Sequence, residues 1–256
     1  MKNLKNVMSF ITLALVMLVS FNLGAQERLT FKDFEYIGLE HNNEVENIFN
    51  QLKSSKNNTI TKLDASQAIK EVLGDRISKA KLGSNKSNTI NVLLTSILEE
   101  NNSTIPEYMN SSKKMSNELN KAFNDIDIII KNSTDIKDFN SKINRFITSQ
   151  QVDLLEDNDK YVVYTFASTI LYSVEYWNSN LTKWNDLIGR KTQNSKICWS
   201  CAWDSIVATA EADAVGAAAG AIGALAVNII PGLGQVAYGT AVVSTGVANS
   251  VISMFP

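Results

Sequence analysis

The sequence predicts an all-α fold: an antiparallel multi-helix bundle with a C-terminal Ala/Gly-rich hydrophobic helical hairpin. Three observations predict it. From about residue 30 to 196, apolar residues recur at three- and four-residue spacing. No sustained period-two alternation calls for a sheet, and no heptad pattern lasts long enough for a long coiled coil. From Ala214 to Pro256 the chain runs 43 residues without a charge, rich in Ala and Gly and broken by a Pro-Gly.

The elements follow in order. Lys2 and Lys5 precede an uncharged, Leu- and Val-rich run that ends in "NLGAQ", the pattern of a secretory signal peptide over residues 1–25, cleaved after Ala25. An uncleaved N-terminal anchor is the alternative. A helical bundle domain is expected over 26–196. Phe31, Phe34, Ile37, His41, Val45, Ile48 and Leu52 share one face of a first helix, with Thr30 and Asp33 resembling a capping box. Leu63, Ala68, Ile69, Val72, Leu73 and Ile77 make a second, and Ile90, Leu93, Leu94, Ile97 and Leu98 a short third. Pro106 sits near the start of a fourth, where its missing N–H does little harm. A fifth uses Phe139, Ile143, Phe146 and Ile147, started by Ser133 or Thr134. A sixth follows "EDND", whose carboxylates suit the positive end of a helix. Asn-rich stretches such as Asn57-Asn58 and Asn101-Asn102 serve as connections.

Composition then changes. Lys196 is the last basic residue, and 197–256 carries only Asp204, Glu211 and Asp213 as charges, so a boundary is expected near 196. The net charge of −2, made more negative by loss of the leader, excludes a nucleic-acid surface, which needs clustered Lys and Arg. The two cysteines, Cys198 and Cys201 in "ICWSCAW", read as a disulfide in an oxidising compartment. Free buried thiols and a redox pair are the alternatives. A zinc site lacks partners, since His41 is the only histidine. No phosphate loop, nucleophile elbow or metalloprotease motif occurs, so neither catalytic residues, a cofactor nor a metal is assigned, and no enzyme is expected. His41 reads as a core or rim histidine. In "EYWNSNLTKW", Tyr176, Trp177 and Trp184 read as the packing end of the sixth helix, with a membrane belt as the alternative.

The tail, 197–256, reads as the Cys pair followed by a two-helix hairpin. Ala214–Ile230 and Val236–Phe255 form its arms, and Pro231, Gly232 and Gly234 its turn. Gly216, Gly220 and Gly223 on one arm, with Ala241 and Ala248 on the other, form small faces that let backbones approach. Trp199 and Trp203, at the entrance, are candidates for a membrane interface. A helix that is apolar all round is buried in protein or in lipid, and periodicity alone does not separate these.

On these residues the tail resembles the C-terminal hydrophobic hairpin of pore-forming colicins and the glycine-zipper segments of small bacteriocins. It departs from the bacteriocins in being acidic. The leader predicts export, to the exterior, the periplasm or the cell envelope; the resemblance implies a hairpin that meets a lipid bilayer, and its small-residue face one that self-associates. A soluble helical interaction protein with the hairpin buried in its core is the alternative.

Overall fold

In the computed structural model the described residues are 29–55, 59–99, 116–190, 199–232 and 235–255; the side chains of Glu99, Trp199, Ser200 and Cys201 are not among them. The expected leader, Pro106 and Cys198 lie outside these residues. Among the described residues every regular element is helical. A 3₁₀ turn at Phe31–Phe34 leads into α1 (Glu35–Ser54), followed by α2 (Lys62–Lys79), α3 (Ser84–Glu99), α4 (Asn117–Lys131), α5 (Ile136–Ile147), a single turn α6 (Gln150–Asp153), α7 (Asp157–Leu187), α8 (Trp199–Ala226) and α9 (Gln235–Ser253). Residues Phe31–Pro256 form one compact unit, so the boundary read near 196 falls inside it, within 191–198, outside the described residues.

Helix starts follow local chemistry. At α2 the Thr61 hydroxyl accepts from Asp64 N–H at 3.2 Å, and Asp64 Oδ2 accepts from Thr61 N–H at 2.8 Å, a closed capping box. Ser116 caps α4 through Leu119 N–H at 2.9 Å, and Asp135 caps α5 through Asp138 N–H at 2.9 Å. The α5 cap is therefore one or two residues later than Ser133 or Thr134. The first helical stretch begins at Phe31, directly after Thr30, as a 3₁₀ turn that becomes α-helical at Glu35.

The last two helices lie at the centre. Helix α8 packs along α9 and α7, α1 crosses α7 and α9, α2 and α3 cover α9, and α4, α5 and α6 lie on α7. Residues 213–221 of α8 and 237–248 of α9 are buried without interruption. The amphipathic helices bury one face each: Ile37, Val45 and Ile48 of α1, Ile69 and Leu73 of α2, Phe139 and Ile143 of α5. Leu63, expected in the core, is 78% exposed, and Ala65 takes the inward position. Starting α2 at the capping box fixes which residues of its first turn face in.

The helix of the first arm begins earlier than the expected Ala214, at Trp199, and ends earlier than the expected Ile230. It stops at Ala226, where Asn228 N–H donates to Leu225 O (3.1 Å) and Ile229 N–H to Ala224 O (2.9 Å), with Asn228 at φ 58°. This is a Schellman stop, with Asn in the left-handed conformation. Asn228 thus ends the helix before Pro231 is reached. Pro231 is buried and Gly232, at φ 88°, completes the reversal; Gly234 lies outside the described residues.

Candidate functional site

Four of the packed helices contribute to one polar knot in the dry centre. His41 comes from the apolar face of α1, Ser173 and Trp177 from α7, Asp213 from α8 and Ser250 from α9, and none has measurable exposure. Trp177 Nε1–H donates to Asp213 Oδ2 at 2.7 Å. The same oxygen is 3.7 Å from His41 Nε2. At the other side of the imidazole, Nδ1 is 3.2 Å from Asn42 Oδ1 and 3.4 Å from Ser173 Oγ. Burial raises the pKa of the Asp213 carboxyl, and the charge of His41 with the Ser250, Trp177 and Ser173 side chains offsets only part of that rise. His41 Nε2, Asp213 Oδ1 and Ser250 Oγ close no well-aligned hydrogen bond. The order Ser173, His41, Asp213 has the residue types of a hydrolytic triad, yet all three are sealed from solvent, so no substrate reaches the serine as the helices are packed.

The knot is anchored outward by the aromatic segment of α7. Trp177 lies against Trp184 at 5.7 Å between ring centroids, and Trp184 Nε1–H donates to Tyr176 Oη at 3.0 Å. Tyr176 in turn donates to Glu46 on α1 at 2.8 Å, and Lys183 bonds the same carboxylate at 2.7 Å while lying over the Phe49 ring. Burial alone would raise the Glu46 carboxyl, but hydrogen bonds from Lys183 and Tyr176 outweigh it and hold it below its ordinary value. "EYWNSNLTKW" is therefore a packing device between α7 and α1, and Trp177 and Trp184 are fully buried.

The small residues of the tail divide between two neighbours. A methyl group on Gly216 would lie 2.6 Å from Thr245 O and from Asn249 Cβ, and one on Gly220 would lie 2.9 Å from Ala241 O while colliding with the Thr245 hydroxyl. These two glycines form the seam with α9. Asn249 Nδ2–H reinforces it by donating to Ala212 O at 2.6 Å. Gly223 instead faces α3, where its methyl would meet Leu93 Cδ2 at 2.6 Å. Ala241 and Ala248 are fully buried. Gly246, which the small-residue pattern did not single out, presents its Cα side to the His41 ring and to Asp213 O.

Two openings flank this centre. A recess of about 730 Å³ is walled by Ile136, Trp177, Leu181, Trp203 and Ile206, with Asn178 and Thr182 among its polar groups. Trp203 is held there by donating Nε1–H to Ser133 O at 2.9 Å and by an edge contact with Phe139. A groove of about 800 Å³ runs past Tyr36, Glu40, Glu44 and Arg76, where Arg76 bonds Glu40 and, at 3.1 Å, Glu44. Burial, then Glu40, pushes the Tyr36 hydroxyl up to about 12. Among the described residues no three His, Cys, Asp or Glu side chains gather as metal ligands would. The side chains of Cys198, Cys201 and Trp199 lie outside the described residues, so the expected disulfide and the Trp199 end of the interface have no geometry here. No family model, curated protein or solved structure matches this chain.

Proposed function

We propose that this chain is an exported, water-soluble helical binding protein whose apolar hairpin is its permanent core, with the tryptophan-lined recess beside that core taking an apolar group of a partner. The pinning of Asp213 carries this reading. Its carboxyl is fully buried and bonded to Trp177 of a covering helix, which ties the first arm to protein rather than leaving it free for lipid. The length of the arm agrees. One described helix, Ala202–Ala226, is long and apolar enough to cross a bilayer, but two-thirds of its most apolar window is buried in the bundle. Its uncharged part, Ala214–Ala226, rises about 20 Å against a hydrocarbon core of about 30 Å. Spanning would therefore draw Asp213 into lipid, at a cost of about 3 kcal/mol near the centre.

The purified mature chain is then expected to be monodisperse without detergent, and a chain truncated after residue 196 to lose cooperative unfolding by circular dichroism. A truncated chain that still unfolds cooperatively, or a full chain that partitions into detergent, defeats the reading. At the recess, Leu181→Trp is expected to abolish binding of an apolar fluorescent dye while leaving the unfolding free energy within about 1 kcal/mol of the parent.

A second reading, membrane insertion by a bacteriocin-like or pore-forming hairpin that associates with its own copies, draws on a different observation. Val227, Ile230 and Val236 stand exposed around the turn of a helix pair that is closely seamed and free of charge beyond Asp213. Tail-dependent dye release from loaded liposomes would favour it, and the absence of release would remove it.

A further inference from the structure

We propose that His41 and Asp213 hold a single proton between them and so form a pH-sensitive latch that keeps α8 and α9 against α1 and α7. The pair sits 3.7 Å apart, with 1% and 0% of the two side chains exposed. With one proton the pair is neutral as a whole, whether as imidazolium and carboxylate or as imidazole and carboxylic acid. A second proton, entering from solvent on the acid side, leaves a net positive charge in a dry interior. Such a charge is costly to bury without a partner.

Among the described residues no other charged group faces the pair. Helix α9 carries no ionisable charge. On α8, Glu211 faces Asp127 and Lys131 of α4. On α1, Glu40 and Glu44 are engaged by Arg76, and Glu46 by Lys183. From α7 the pair is met by Ser173, by the Trp177 N–H and, further off, by the Tyr176 hydroxyl, whose own ionisation burial opposes. Asp213 Oδ1, His41 Nε2 and Ser250 Oγ have no aligned partner that could take up the added charge.

The mechanical consequence is local. A methyl on Gly246 would lie 3.1 Å from the His41 ring and 3.2 Å from Asp213 O, so α9 is pressed against both members of the pair. Solvating the doubly protonated pair therefore requires α1 and α9 to part first. This inference is independent of what fills the recess and of whether lipid ever covers the hairpin.

His41 is the only histidine in the chain, so its imidazole resonance reports the latch without ambiguity. The full mature chain, titrated by NMR from about pH 8 to about pH 4 with amide exchange followed in parallel, tests it. Protection of amides 213–221 and 241–250 is expected to fall at least about tenfold over the same interval in which the imidazole signal reports the second proton. In His41→Gln the acid loosening of these amides is expected to disappear. An imidazole that titrates with no change in their protection, or loosening that persists unchanged in His41→Gln, overturns the proposal. The wild-type titration decides alone if His41→Gln fails to fold.

Discussion

Gly220→Ala isolates the seam between α8 and α9. A methyl group there would collide with the Thr245 hydroxyl and lie 2.9 Å from Ala241 O and 3.0 Å from Val242 Cα. Two of these neighbours are backbone, so the helices themselves must separate. Overpacking of this kind costs about 1–3 kcal/mol, while Gly to Ala in a helix interior returns up to about 1 kcal/mol. With two backbone neighbours at or inside 3.0 Å the cost falls at the upper end of that range, and the net expectation is destabilisation by about 2 kcal/mol. Gly74 supplies the control. It lies within α2, and a methyl built on it meets nothing within 4 Å, so Gly74→Ala is expected to stabilise by about 0.5–1 kcal/mol. Urea unfolding followed by tryptophan fluorescence gives both values from the same parent protein. The reasoning is refuted if Gly220→Ala is as stable as the parent, or if Gly74→Ala destabilises by a similar amount.

Other consequences are as direct. Trp177→Phe removes the donor that serves Asp213 while keeping most of the ring, and a loss of about 1–3 kcal/mol in urea unfolding is expected. Thr61→Ala opens the capping box of α2 and is expected to cost about 1 kcal/mol, read in the same assay. Glu46 titrates below its ordinary value when folded, so its contribution is present above the unfolded-state pKa and lost as pH falls through the folded value. Because Glu46 is largely solvated, Glu46→Gln is expected to cost under about 1 kcal/mol at neutral pH and to shrink that acid-side loss, measured by unfolding at both ends of the interval. Asp213 has the opposite sign. Its folded pKa is raised, so its contribution is fully present below the unfolded-state pKa and lost as pH rises through the folded value, and Asp213→Asn is expected to remove that loss, read in the same unfolding series.

Much of the architecture was legible because the signals are local. The inward face of α1, from Ile37 through His41 and Val45 to Leu52, was readable from three- and four-residue spacing, and all of it is buried. The seam at Gly216 and Gly220 was equally readable, since only small residues permit backbones so near. Leu63 was misplaced because the α2 capping box at Thr61 and Asp64 was not recognised, and that start sets which residues of the first turn face in. The end of the first arm was placed too late because Asn228 takes a left-handed stop that composition does not announce, whereas Pro231 is conspicuous. The polar knot could not be read at all. His41 and Asp213 lie far apart along the chain, and only the crossing of α1 and α7 with the last two helices gives each its partners. The same crossing is what covers the hairpin, and an all-apolar helix does not reveal its cover.

The central claim is that protein, not lipid, covers the hairpin. Amide hydrogen exchange of the mature chain at neutral pH, with and without liposomes, tests it most directly. The account expects residues 214–221 and 237–248 to be among the slowest to exchange and to be unaltered by lipid. Rapid exchange of these residues in lipid-free solution, or protection that appears only when liposomes are added, would contradict it.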